Sequence, residues 1–138
     1  MMLKEVIICI IIVTIILIGN AITQNYTKET VGQLSDKLQE IKTELENQNG
    51  TSNSGEEKTD KIIQTKIDKL RQDWDESKKK LAYFIEHDEL EKVETNIVSF
   101  SSFIKSKENE EAISDLDKCD FVLKHIQEKY AFNLENIF

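Results

Sequence analysis

The sequence predicts an all-α protein, with an N-terminal transmembrane helix followed by an antiparallel three- to four-helix bundle. Three observations carry this. From Val6 to Ile18 no position is charged, and eleven of the thirteen residues are Val, Ile or Leu. Proline is absent from the 138 residues, and charged residues, mostly Lys and Glu, make up 32%. Such a mixture lacks helix breakers. Beyond the apolar run, hydrophobic residues recur at alternating intervals of three and four, the signature of helices with one apolar face.

The apolar run comes first. Read as helix, Val6 to Thr23 spans about 27 Å, close to the hydrocarbon thickness of a bilayer. Eleven aliphatic residues contribute about 3–7 kcal/mol to insertion, enough to outweigh Asn20 near one end. A helix with no polar face has no place on a soluble surface. Residues 1–24 are therefore read as a transmembrane signal anchor, with the membrane held through residues 6–23. A second reading is a signal peptide, since Gly19 and Ala21 have the small-residue spacing of a cleavage site after Ala21. Lys4 precedes the run and Lys28 and Lys37 follow it, so positive charge does not set the orientation. The N-terminal placement of the run favours a domain outside the cytoplasm.

Residues 25–46 form a stalk or first bundle helix, with its stripe at Val31, Leu34, Leu38, Ile41 and Leu45. Two heptads are too few for a coiled coil and suit a bundle helix. Residues 47–60 contain no hydrophobic side chain and are rich in Asn, Ser, Gly and Thr, which reads as a polar linker. Residues 61–138 complete the bundle. Its first helix runs from about Lys61 to Glu86, on Ile63, Ile67, Leu70, Trp74, Ser77, Leu81 and Phe84. Asp88 and Glu91 fit a capping box that starts the next, on Leu90, Val93, Ile97, Phe100 and Ile104. Asn109 is placed to cap the last, on Ala112, Leu116, Cys119, Leu123, Ile126 and Tyr130. Leu134, Ile137 and Phe138 are expected to fold back on the bundle or to dock a partner.

Net charge is −8, and Lys4 and Glu5 cancel, so the acidity belongs to the bundle. It repels nucleic acid and anionic lipid headgroups, so neither is expected as a partner of the bundle. Cys9 lies in the membrane segment and Cys119 late in the bundle, so no disulfide framework exists. Trp74, the one tryptophan, reads as a core anchor; a ligand-stacking role is the sharper alternative. Glu86-His87-Asp88-Glu89 is the densest polar cluster, but consecutive residues at a helix junction point apart and make a poor metal site. Lys78, Lys79 and Lys80 are spaced to pair with Asp75 and Glu76. Nothing in the chain forms a catalytic constellation, and no cofactor is expected.

The stretch from Trp74 onward resembles a bacterial family described as a domain of unknown function, DUF4363. The resemblance rests on Trp74, Phe84-Ile85-Glu86-His87, Leu90-Glu91-Lys92-Val93-Glu94, Leu123-Lys124-His125-Ile126-Gln127-Glu128 and Leu134-Glu135-Asn136-Ile137-Phe138. It implies one N-terminal membrane segment, a helical domain, no known activity, and an integral-membrane protein as partner. The resulting expectation is a single-pass, non-enzymatic interaction subunit at the cell membrane. Trp74, His87, Ile137 and Phe138 are its contact residues. Two rivals are an extracytoplasmic small-ligand sensor built around Trp74 and a secreted bundle released after Ala21.

Overall fold

A computed structural model describes residues 2–48 and 56–131, which form four helices: α1 (Met2–Gln48), α2 (Glu56–Leu81), α3 (His87–Lys105) and α4 (Asn109–Lys129). The first part of α1 stands alone. Every residue from Met2 to Gly19 is exposed, and its most apolar window has 0% buried inside the protein. The same helix continues without a break into the bundle, where Val31, Leu34, Leu38, Ile41 and Leu45 are buried. Stalk and first bundle helix are therefore one element.

The apolar stripes meet in a single core. It joins the α1 stripe to Ile63, Ile67, Leu70, Trp74 and Leu81 of α2, Leu90, Val93, Ile97 and Phe100 of α3, and Ala112, Leu116, Cys119, Leu123 and Ile126 of α4. Burying each large aliphatic side chain contributes about 1.5–3 kcal/mol relative to leaving it in water. α1 packs on α2 and α4, and α3 packs mainly on α4. α2 and α3 share the smallest contact. Neighbours in sequence run antiparallel. α2 and α4 therefore both finish at the end from which the apolar half of α1 emerges, called here the basal end.

Several boundaries differ from the sequence reading. α2 starts at Glu56, inside the stretch read as linker, and stops at Leu81 rather than near Glu86. Residues 82–86 form a turn in which the Ile85 N–H still bonds to Leu81 O at 2.9 Å, while Phe84 N–H reaches the same carbonyl at 3.1 Å. Phe84 and Ile85 stay packed on the core from within that turn. The helix N-caps are Glu86 and Glu108, neither making a side-chain cap bond, so Asp88 and Asn109 lie inside their helices.

α3 ends in a Schellman motif. Lys107 takes the left-handed conformation at φ 60°. Its N–H bonds to Ile104 O at 3.1 Å, and the Glu108 N–H reaches Phe103 O at 2.9 Å. This tight turn sets α4 back against α3.

Candidate functional site

Three separated segments converge at the basal end: α1 near Tyr26, the turn after α2, and the end of α4. The Tyr26 ring meets Phe84 edge-on, with centroids 6.4 Å apart and planes at 84°. Lys80 Nζ sits 5.6 Å from the Tyr26 centroid. On the other side of the turn the Glu86 N–H donates to Tyr130 Oη at 3.0 Å. Lys129 Nζ lies 3.2 Å from both Glu86 and Glu89 carboxylates and 5.5 Å from the Tyr130 centroid. The hydrogen bond from Lys129, working against burial, holds the Glu89 carboxyl below its ordinary value. Bonds to Glu86 and Glu89 raise Lys129 in turn. A cleft of about 220 Å³ opens beside this cluster, lined by Gln24, Asn25, Thr27, Lys28, Gln127 and Tyr130. Tyr83, at the tip of the turn, is 89% exposed.

The residues singled out from sequence do not assemble here. Trp74 is 2% exposed and lies in the core, and its indole N–H finds no hydrogen-bond partner among the described residues. His87 is exposed at the start of α3. It lines a shallow groove of about 450 Å³ with Lys78, Glu91, Glu94, Thr95 and Val98, along the seam where α2 and α3 pack least. Lys78 bridges that seam to Glu94, instead of pairing within its own helix as its spacing suggested. Ile137 and Phe138, with Leu134, lie outside the described residues. Sequence reasoning missed the Tyr26–Phe84 and Glu86–Tyr130 contacts, which join residues 58 and 44 positions apart. A faint signal existed: the chain has three tyrosines, and the fold gathers all of them at one end. It also missed Phe121, 72% exposed on the outer face of α4, whose ring stacks on His125 at 6.5 Å.

Several other polar groups tie one helix to another. Asp120 of α4 accepts from Ser35 of α1, and Asp115 of α4 accepts from Ser99 of α3. Asp73 of α2 pairs with Lys37 of α1 and, at 2.8 Å, with Lys69. Burial pushes the Asp73 carboxyl up, but the bonds from Lys37 and Lys69 outweigh it and leave it below its ordinary value. Cys119 is fully buried, and desolvation pushes its thiol up to about 12, far from a nucleophile's range. Among the described residues no three His, Cys, Asp or Glu are grouped so as to hold a metal ion.

The family model for a domain of unknown function, DUF4363, matches residues 21–137. The chain belongs to the DUF4363 family. The match takes in the bundle half of α1 and all of α2, α3 and α4, leaving most of the free apolar half outside. Of the residues that suggested the DUF4363 resemblance, Phe84-Ile85-Glu86-His87 is the basal turn and its exit into α3. Leu123 and Ile126 are core. No curated protein and no solved structure matches the chain.

Proposed function

We propose that this DUF4363 member is a membrane-anchored, non-enzymatic helical bundle that acts as an interaction subunit at the bacterial cell membrane. In this reading residues 6–23 cross the bilayer once, the bundle lies outside the cytoplasm, and the partner is an integral-membrane protein. The observation that carries it is the division of α1. Its apolar half is covered by none of the described residues, while its second half supplies the bundle's core stripe. An apolar helix exposed all round gains several kcal/mol by entering a bilayer and gains nothing in water.

Two further features support the reading. α1 is helical straight through Ala21, so cleavage there would sever an element that the bundle continues. The one bundle cysteine is sealed in the core, which removes the obvious nucleophile.

The test is membrane fractionation of the full-length protein, with its intact mass and protease applied outside intact cells. The proposal expects a chain that retains its N-terminal residues, stays with the membrane and loses its bundle to external protease. A soluble mature chain beginning at Ile22 would overturn the anchor. An anchored bundle shielded from protease would overturn the orientation.

A further inference from the structure

We propose that the basal end of the bundle is a lipid-contacting face, seated in the headgroup layer of the bilayer through Tyr83 and the aromatic cluster behind it. The inference rests on the anchored reading above and extends it from the span to the bundle.

The apolar run closes at about Thr23, and Tyr26 follows three residues later in the same unbroken helix. Three residues of helix rise about 4.5 Å. A headgroup layer is about 5–7 Å thick on each side of the hydrocarbon. Tyr26 therefore sits at headgroup depth. Its ring touches Phe84, so the basal turn lies at the same level. The turn's tip is Tyr83, 89% exposed. Tyr130 joins the cluster through the Glu86 N–H. Every tyrosine of the chain is thus placed at the edge of the span. Tyrosine is the residue that membrane proteins concentrate at this depth, because its ring is apolar and its hydroxyl is wet.

Lys80 lies over the Tyr26 ring and has the length to carry its charge outward to phosphate, while Lys129, over Tyr130, is held by Glu86 and Glu89. The bundle as a whole is acidic, so long-range attraction to anionic lipid is not what holds this face down. Among the described residues the bundle's own packing does not account for an aromatic as exposed as Tyr83. Contact with a bilayer supplies one.

The experiment places a polarity-sensitive thiol dye at Tyr83→Cys in the full chain, on a Cys9→Ser background. Cys119 is buried and does not compete for label. The control is Lys105→Cys, at the far end of α3, about 27 Å away along that helix. Both proteins are placed in phosphatidylcholine vesicles, with and without lipids carrying a nitroxide on the headgroup. The expected result is a blue-shifted emission at 83 that the nitroxide quenches, with both effects lost at 105.

Equal, unshifted emission at the two sites in protein that floats with the vesicles would overturn the proposal and leave the anchor intact. A blue shift at 83 without quenching would put protein, such as a second copy, on the face in place of lipid, and also overturns it. Failure to float would remove the anchor and this proposal together, so flotation distinguishes the two failures.

Discussion

Trp74→Phe is a sharp test of how the core is built. Trp74 is 2% exposed, and its Nε1–H is left without a partner among the described residues. A buried donor in that condition costs about 1–3 kcal/mol. Phenylalanine removes the donor. It also removes roughly 40 Å³ of side chain, and at about 24 cal/mol per Å³ the residual cavity costs about 1 kcal/mol. The two lost ring carbons forfeit about 1.5 kcal/mol more of transfer free energy. The gain and the losses nearly cancel, so the variant should unfold within about 1 kcal/mol of the parent. Trp74→Ala recovers the same donor penalty but empties the whole site, and falls in the usual range of about 3–5 kcal/mol of loss. The assay is denaturant unfolding of the full-length protein in detergent, followed by far-UV circular dichroism, since the only tryptophan is gone. If the phenylalanine variant lost as much as the alanine variant, the indole N–H would have to be satisfied in the native protein, and the reasoning would be refuted.

Three further outcomes follow from other features. Lys107→Gly relieves a non-glycine residue at φ 60° and should raise stability by about 0.5–1 kcal/mol, read as a higher unfolding midpoint; a lower midpoint would show that the Lys107–Asp60 pair, at 3.5 Å, matters more than the backbone. Cys119 should resist maleimide at neutral pH in the folded protein and react once denatured, because burial both occludes the thiol and suppresses its thiolate; fast native labelling counts against the packing of α3 on α4. Asp73, Glu89 and Asp115 all titrate below their ordinary values in the fold. Depressed carboxyl values stabilise above the unfolded value, about 4, and that stability is lost as pH falls through the lower folded values. The unfolding midpoint should therefore hold steady from pH 7 to about 5 and drop below about 4, with a smaller drop in Asp115→Asn.

The four-helix plan was legible because each helix faces a single core, so the three-and-four spacing maps directly onto burial. Val31, Leu34, Leu38, Ile41 and Leu45 are buried as the stripe requires, and so are Leu90, Val93, Ile97 and Phe100. The end of α2 was not legible. Phe84 and Ile85 keep the stripe's spacing but reach the core from a turn, so burial continues after the helix has stopped. Caps failed for a related reason. Asp88 and Asn109 have suitable side chains, but the non-helical backbone that defines a cap falls two residues earlier at Glu86 and one earlier at Glu108. The contacts of the basal cluster lay beyond linear reading, with the three tyrosines as the one faint signal. Tyr26 meets Phe84, and Tyr130 meets the Glu86 N–H, only because antiparallel reversals return the chain to the same end.

The unbroken α1 has a mechanical consequence. A helix that passes from the apolar half into the core stripe fixes the rotational phase of one against the other. One residue inserted between Thr23 and Tyr26 would turn the bundle by about 100° about the span and lift it about 1.5 Å. Seven inserted residues would restore the phase to within about 20° but lift the bundle about 10 Å. One insertion length sets both, but phase recurs about every seven residues whereas height only grows. A partner that reads the bundle's azimuth and a bilayer that reads its elevation would respond to different members of such a series.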